Sequence, residues 1–425
     1  MNPLRVARED GGSFRPKPLA GEQPKSLNSG KELQQNMILE SVGIGVVLLL
    51  LLIWIGLELP YRLRPGNAID VLPGSWNLDT SVPQHYHLMG EITFCNPAQS
   101  LEVMVPELKA DLTLLSKGAL DQVTHTLRIE TQHPDAEARA DGYWFAYILK
   151  SHRQTTVKLS IEIDGPHLSE LKAAWVCLHY ISYGPKGRIP QIHHEVIPLK
   201  FPDPKAPMNW RTTPNAQVLP IPTHLLTPLD NCEDIVRRYV TPHAQPGDIV
   251  TIGETPVAIM QSRWRHPSTV QPGWVARRVC YFFHPTSSLA TACGLQTLVD
   301  IVGPIRVLLA FLGGVIGKVL GQPGMFYRLA GEQARLIDDV TGTLPPYDQF
   351  IILGPEDPQQ VVNQIQAETG LAAAIVDVND LQRVKVLAAT ADASIPLLES
   401  ALRSNPAGNA NEQTPVVLIR PQQQG

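Results

Sequence analysis

The sequence predicts an α+β multidomain chain with a single N-terminal transmembrane helix, a β-sandwich domain and a C-terminal α+β domain. One nearly continuous apolar run lies close to the N-terminus, seven short strand-like runs follow it, and strands then alternate with helices beyond a proline-rich stretch. At 425 residues the chain has room for two or three domains, each with its own core. We therefore expect one membrane segment and two folded domains.

The N-terminal region combines a polar tail with an apolar helix. Residues 1–36 are rich in Gly, Pro, Lys, Glu and Ser and carry no apolar period, which is typical of a disordered tail. Residues 37–60 include "VGIGVVLLLLLIWIGLEL", close to the ~20 apolar residues that a bilayer requires. A signal peptide is the alternative, but the long tail and the lack of a small-residue cleavage site favour an uncleaved anchor.

The charges exclude one class of partner and leave the membrane orientation open. With 35 Lys and Arg against 40 Asp and Glu, and no basic stripe, the chain does not present a nucleic-acid surface. Lys17, Lys25 and Lys31 precede the apolar run, whereas Arg62 and Arg64 follow it. The two sides are nearly balanced in positive charge, so charge alone does not decide the orientation.

Residues 67–201 predict the β-sandwich. Seven alternating or apolar runs, among them "HLMGEITFC", "TTVKLSIEI" and "KAAWVCLHYIS", are separated by turn residues. Residues 90–118, with an Asn-Pro between their first strands, resemble the opening of a late-embryogenesis-abundant or water-stress β-sandwich domain. The proline-rich residues 202–217 lack periodicity and predict a stiff linker to the next domain.

Residues 218–421 predict the C-terminal α+β domain. "VLPIPTHLL" is strand-like, "NCEDIVRRYV" is helical with an Asp or Asn cap, and "GDIVTIGETPVAIMQ" returns to strand. Residues 221–263 are similar in order and spacing to the opening of the coenzyme F-420 γ-glutamyl ligase family. Of that family's Ser-Lys-x-x-Glu-Gly-Arg stretch, only the Arg has a counterpart in this chain, which is Arg263. The family's Lys and Glu have no counterpart, so no residue here matches the ones that would make nucleotide or glutamyl contacts at those positions.

A second block carries the resemblance further. Residues 336–383 follow the family's order of Gly-Val-Asp-x-Ser-Asn, Leu-Leu-Pro-x-Asp-Pro and Ile-Ile-Ser-Asp-Thr, although Ser-Asn is here Val340-Thr341. The resemblance implies that Asp339, or alternatively Asp338, corresponds to the first metal-binding aspartate and Asp377 to the second. It also implies a Mg²⁺ or Mn²⁺ site that acts with a nucleoside triphosphate, GTP in particular.

The residue chemistry is compatible with such a site. Hard divalent ions take oxygen ligands, commonly one or two carboxylates with phosphate oxygens and water, and strand ends can present them. Five residues are candidates for nucleotide or second-shell contacts, namely Asp338, Arg263, Asn379, Asp380 and Arg383. The alternative is that Asp and Asn after an apolar strand are ordinary turn and helix-cap residues.

Two functions remain open from the sequence. The resemblance implies a membrane-anchored, nucleotide- and metal-dependent ligase that joins a small carboxylate to an amino acid, with its soluble domains on the cytosolic side, where nucleotide is available. The alternative is a catalytically inactive, membrane-tethered binding or assembly module that contacts a membrane protein partner. Loss of the Lys and Glu motif residues favours the second function, and retention of the aspartates favours the first.

Residues 299–320 form a further apolar stretch. Interruption by Pro304, Arg306 and Lys318 favours an interfacial or buried helix over a second span, because each cation would cost ~2.5–3.5 kcal/mol at the bilayer centre.

Overall fold

The computed structural model of the chain describes residues 26–63, 66–339, 344–378, 383–408 and 412–422. The α-helices of these residues are α1 Ser26–Leu63, α2 Cys232–Ile235, α3 Glu254–Met260, α4 Trp274–Val279, α5 Ala292–Val302, α6 Pro304–Val319, α7 Met325–Ala330, α8 Gln333–Leu336, α9 Pro358–Thr369 and α10 Ile395–Leu402. The strands are β1 Asp70–Val82, β2 His85–Cys95, β3 Val103–Val105, β4 Leu108–Ser116, β5 Thr124–Gln132, β6 Tyr147–Leu149, β7 Gln154–Asp164, β8 Leu171–Gly184, β9 Gly187–Pro198, β10 Arg211–Thr212, β11 Ala216–Ile221, β12 Ile249–Gly253, β13 Trp264–Arg265, β14 Asp338–Asp339, β15 Ile351–Ile352, β16 Ala372–Val378, β17 Val384–Ala389 and β18 Val416–Pro421. Two compact units result, one containing α1 and the other formed by residues 66–425.

Helix α1 is apolar on all sides over its C-terminal part. Its section Leu39–Leu63 is 25 residues long and is long and apolar enough to cross a membrane. Large apolar side chains such as Leu48, Leu52 and Ile53 are half or more exposed, so this helix needs an apolar surrounding that its own unit does not supply. The helix begins at Ser26, inside the stretch predicted as a tail.

The first domain of the larger unit is a β-sandwich. One sheet has the order β1-β2-β7-β5, and the other has the order β4-β8-β3-β6 with β9 paired beside β8. Strand β7 alternates as the sequence predicts, with Val157, Leu159 and Ile161 facing the core between polar neighbours. The architecture fits the sandwich predicted for residues 67–201, and β1 extends it by a strand that the sequence pattern did not reveal.

The second domain is built on a six-stranded mixed sheet with the order β10-β11-β18-β12-β16-β17. Helix α9 and the helical segment 232–240 cover one face through Val236, Tyr239 and Ile365, and α10 covers the other through Leu398 and Leu402. This is the α+β layout predicted. Because β10 and β11 start at Arg211 and Ala216, the sheet begins inside the predicted linker 202–217.

Helices α4 to α8 come after β13 and before β14 along the chain. These two strands belong to a small three-stranded sheet with the order β13-β15-β14. Helices α5 and α6 meet at 113° at Gly303, whose φ of 87° suits a residue without a side chain. Helix α5 is buried through residues such as Leu295 and Leu298. Most of α6 is on the surface, so these helices do not form one straight span.

The two domains of the larger unit share an aromatic contact. Trp175 and His194 from the sandwich and Trp264 and His266 from the C-terminal domain all pack around Phe350, with ring centroids 4.6–5.8 Å from its own. Phe350 is 1% exposed. The sandwich is therefore packed directly against the domain that carries the candidate site.

Candidate functional site

Two carboxyl groups lie at the carboxyl ends of neighbouring parallel strands of the C-terminal sheet, and the charge of a third acts on one of them. Strands β12 and β16 are parallel, with Gly253 opposite Val376, so their carboxyl ends meet at the same edge. Glu254 directly follows β12 and opens α3, while Asp377 directly follows Val376. Asp338 of β14 is close enough for its charge to act on Glu254. We call Glu254, Asp338 and Asp377 the carboxyl cluster.

The cluster resists full ionisation. Burial, and then the negative charges of Asp377 and Asp338, raise the pKa of Glu254 to about 9. Burial and the charge of Asp377 raise the pKa of Asp338 to about 6. Burial also raises the pKa of Asp377, against the opposing effect of Lys385. Near neutral pH the cluster therefore retains a proton, which a bound cation could displace.

One oxygen of the cluster lacks a hydrogen-bond partner. Glu254 Oε2 is buried and accepts no hydrogen bond from any residue in the described part of the chain. A buried carboxylate oxygen without a donor is costly. The negative charges of Asp377 and Asp338 also act on this carboxyl group, which suits an oxygen-seeking cation or a proton there.

Lys385 lies next to the cluster on the neighbouring strand. It is opposite Asp377 in the β16–β17 register. Its Nζ lies 2.7 Å from Glu332 Oε1, in an ion pair whose Glu332 side chain is largely exposed. Lys385 thus divides its charge between Glu332 and the cluster, and its amino group is a candidate for contacting an anionic ligand.

Asp339, the first predicted metal ligand, makes a different set of contacts. It follows Asp338 on β14 and is 7% exposed, and its Oδ2 accepts a hydrogen bond from Thr291 Oγ1. Thr291 is the N-cap of α5 and accepts from the Gly294 amide at 2.9 Å. The charge interactions connect Asp338, rather than Asp339, with Asp377. The pair of Asp339 and Asp377 as metal ligands stays a prediction.

We expect Thr291→Ala to lower the free energy of unfolding by about 1–2 kcal/mol. The substitution removes the N-cap of α5 and the hydrogen bond that offsets the burial of Asp339, so the pKa of Asp339 should rise further. Thr291→Ser keeps the hydroxyl and should restore most of the stability. Urea unfolding followed by tryptophan fluorescence measures both variants, and equal losses for Ala and Ser would contradict this role of the hydroxyl.

The remaining predicted site residues are Arg263, Asn379, Asp380 and Arg383. Arg263 donates from Nε to Gly354 O at 2.6 Å and from a terminal nitrogen to Glu356 Oε2 at 3.1 Å. It therefore holds the turn of residues 354–358, "GPEDP", at the start of α9. Asn379 and Asp380 lie outside the described residues, and Arg383 directly precedes β17. Their predicted nucleotide or second-shell contacts stay predictions.

Only the type of donor atom, carboxylate oxygen, relates the carboxyl cluster to a divalent metal. Within the described ranges, no three or more His, Cys, Asp or Glu side chains are arranged as a metal-holding group. The carboxyl cluster nevertheless supplies the hard oxygen donors that Mg²⁺ and Mn²⁺ prefer, and the partnerless Glu254 oxygen is consistent with a cation there.

Glu254 was not among the residues that sequence reasoning selected. "GDIVTIGETPVAIMQ" was interpreted as one strand, whereas β12 ends at Gly253 and α3 starts at Glu254. The available signal was Pro256, which cannot donate within a central strand but is tolerated in the first turn of a helix. If Pro256 had been used to end the strand, Glu254 would have been selected as a carboxylate that follows a buried apolar run, which is how Asp377 was selected.

Comparison with known proteins gives a match for the sandwich. Residues 70–201 match the domain described as F420-0:gamma-glutamyl ligase, N-terminal Ig-like domain. The match lies in the N-terminal half, not in the C-terminal half where the sequence suggested the family. The water-stress resemblance of residues 90–118 falls within this domain and stays a prediction. No curated protein matches the chain.

Solved structures add only distant likenesses. The yeast GGA1 GAE domain is 12% identical, with a TM-score of 0.19 over 31% of this chain and 100% of its own. A FixG-related protein from Vibrio parahaemolyticus is 11% identical, with a TM-score of 0.18 over 33% of this chain and 100% of its own. A protein from Archaeoglobus fulgidus is 10% identical, with a TM-score of 0.18 over 31% of this chain and 98% of its own. The domain match therefore stands as the informative comparison: the sandwich is similar to the N-terminal Ig-like domain of γ-glutamyl ligases.

Proposed function

We propose that the protein is a membrane-tethered acid–amino-acid ligase of the γ-glutamyl type, with a nucleotide and a divalent metal bound at the carboxyl cluster. The observation that carries the proposal is the charge interaction of Asp338 and Asp377 with Glu254, together with one buried oxygen left without a donor. It occurs in a chain whose sandwich is similar to the N-terminal domain of that ligase family.

The proposed reaction forms an amide bond in two steps. The terminal phosphoryl group of the nucleotide passes to the substrate carboxylate, giving an acyl phosphate and a nucleoside diphosphate. The amine of an amino acid then attacks the acyl carbon, and inorganic phosphate leaves. Mg²⁺ or Mn²⁺ supplies charge neutralisation at the phosphate oxygens in such reactions.

The side chains of the cluster have distinct roles in this proposal. Asp377 and Asp338 would hold a divalent cation through their carboxylate oxygens. Glu254 holds a proton because burial and these negative neighbours raise its pKa, and a cation at the cluster would favour release of that proton. Lys385 can turn from Glu332 toward a phosphate group. Asp339 positions the start of α5 through Thr291.

The membrane tether is part of the proposal. Helix α1 supports it, since residues Leu39–Leu63 can span a bilayer by length and composition. A single span places the soluble unit on one side of the membrane, and we place it on the cytosolic side because the proposed reaction consumes nucleotide. The acceptor or a protein partner would then also be at the membrane.

An inactive, membrane-tethered assembly module is the second candidate. Arg263, the one residue that matches the family's basic motif, is engaged with Gly354 and Glu356. The Lys and Glu of the same motif have no counterparts. These observations favour a domain that keeps the fold and has lost the substrate contacts.

Metal and nucleotide titration of the full chain in detergent micelles distinguishes the two candidates. We expect Mn²⁺ with GTP or ATP to bind the wild type near pH 7 and to release protons, seen by calorimetry in buffers of different ionisation enthalpy. Asp377→Asn should weaken Mn²⁺ binding roughly tenfold or more, and Glu254→Gln should abolish the proton release. Glu399→Gln, an exposed carboxylate on α10, is the matched control and should behave as the wild type.

Two results would decide against the ligase. Folded wild type that binds neither Mn²⁺ nor nucleotide would leave the assembly module as the better function. Binding that is the same in Asp377→Asn and in the wild type would exclude the carboxyl cluster as the site.

A further inference from the structure

Helix α6 has an apolar face that the larger unit leaves uncovered. Five residues of this face are between 50 and 82% exposed, namely Ile305, Leu309, Leu312, Ile316 and Val319. Their spacing places them along one side of the helix. The opposite side is also apolar and packs closely on α7, since a Cβ on Gly314 would lie 2.9 Å from Phe326 Cβ. A helix that is apolar on both sides and buried on only one lacks a partner for the other.

Exposed aromatic side chains lie on and directly after α4, a helix that contacts α6. Trp274 of α4 is 66% exposed, and Tyr281 and Phe282, which follow α4, are 85% and 73% exposed. Phe282 contacts Phe311 of α6, with ring centroids 5.0 Å apart. Exposed Trp and Tyr together with exposed apolar side chains are characteristic of a surface that enters the headgroup region of a bilayer. We call these aromatics and the five α6 residues together the docking face.

The segment around the docking face is basic within an acidic chain. Residues 267–337 hold six Lys or Arg against two Asp or Glu, a net charge of +4, whereas the whole chain carries −5. Both acidic residues are paired with cations from outside the segment, Asp300 with Arg265 and Glu332 with Lys385. The segment that contains the apolar face thus carries a net positive charge.

Individual cations lie where a headgroup would meet them. Arg277 and Arg278 of α4 and Lys318 of α6 are exposed and form no ion pair within the described ranges. Arg306 lines a cavity of about 470 Å³ at the bend between α5 and α6, whose other lining includes Val302, Ile305 and Leu309. An apolar recess with one guanidinium suits an acyl chain below a phosphate group.

We propose that the docking face binds the surface of an anionic phospholipid bilayer, as a second membrane contact in addition to helix α1. Apolar and aromatic side chains enter the interface, and the surrounding cations contact anionic headgroups. Covalent linkage to a helix that can span a membrane raises the local concentration of this face near lipid, so a contact that is weak alone becomes occupied. The inference does not depend on ligase activity.

Photolabelling from within the bilayer tests the proposal on the full chain. The protein is reconstituted into phosphatidylcholine vesicles with or without phosphatidylserine, each containing a phospholipid with a diazirine in its acyl chain, and the labelled peptides are mapped by mass spectrometry. We expect residues 39–63 to be labelled in both vesicles. Residues 301–320 should be labelled roughly tenfold more strongly when phosphatidylserine is present.

Variants connect the labelling with the docking face. The double substitution Leu309→Glu and Ile316→Glu should abolish labelling of residues 301–320 and leave that of residues 39–63 unchanged, which serves as an internal control in the same molecule. Ile395→Glu, which changes an exposed apolar residue at the start of α10, is the matched control and should leave the labelling of both peptides unchanged. Near-ultraviolet circular dichroism confirms that each variant is folded.

Three results would overturn the proposal. Residues 301–320 that stay unlabelled in wild-type protein would exclude a bilayer contact. Equal labelling in both vesicles would exclude a preference for anionic lipid. Protection of α6 from hydrogen exchange without lipid labelling, together with a cross-linked dimer, would assign the face to a second copy of the chain.

Discussion

Phe350→Ala is expected to lower the free energy of unfolding of the larger unit by about 3–5 kcal/mol. Phe350 is almost fully buried and packs edge-on against Trp264 at 4.6 Å and against His194 at 5.0 Å. Removal of the ring leaves a cavity where the sandwich meets the C-terminal domain, and the rigid rings around it cannot collapse into the space.

The measurement uses the full chain in a nonionic detergent. Chemical unfolding followed by tryptophan fluorescence is suitable, because Trp175 and Trp264 both contact Phe350 and report its loss. Phe282→Ala, which removes a ring that is 73% exposed, is the matched control and should change the free energy by about 0.5 kcal/mol or less. Similar losses for the two variants would show that the interdomain contact adds little stability.

The sandwich was predictable because its strands are long enough to show their period. In β7 the buried and polar residues alternate over eleven positions, so a two-residue period is visible in the sequence alone. The contact around Phe350 was not predictable in this way. Its rings come from residues 175, 194, 264, 266 and 350, and only the folded chain brings them together.

The candidate site was predictable in part for a similar reason. Asp377 is the sixth of the seven residues of β16 and comes directly after five buried apolar ones, so its position near a strand end could be derived from the sequence. Strand β14 consists of Asp338 and Asp339 alone, and two residues are too few for a pattern to show which of them faces Asp377. Glu254 was hidden because the strand before it and the helix after it are both apolar.

Composition also could not separate α5 from α6. Both helices are rich in apolar residues, and together they approach the length of a membrane span. The difference lies in the turn at Gly303, which directs α5 into the core and α6 along the surface. Arg306 and Lys318 indicated an interfacial or buried position for the stretch, and the exposed side of α6 suits the interfacial one.

Glu254→Gln is expected to stabilise the protein at alkaline pH. The pKa of Glu254 is raised from its ordinary value of 4.5 to about 9 in the folded chain, so the folded state holds a proton that the unfolded state loses. The contribution of this group to stability is therefore complete below pH 4.5 and is lost progressively as the pH rises to about 9. At pH 8 the ionisable side chain should cost on the order of 2–3 kcal/mol, after allowance for its partial exposure.

Glutamine removes this penalty, because it stays neutral and its amide can donate to a neighbouring carboxylate. We expect the free energies of unfolding of wild type and Glu254→Gln to be similar at pH 5 and to diverge in favour of the variant toward pH 8, with Glu399→Gln following the wild type throughout. Saturating Mn²⁺ should narrow the difference in free energy of unfolding between the two proteins at pH 8. A cation bound to the folded state stabilises the ionised glutamate of the wild type, so replacement by an amide then adds less stability. Parallel pH profiles for wild type and Glu254→Gln would mean that Glu254 ionises normally, and the cluster would then have no proton for a metal to displace.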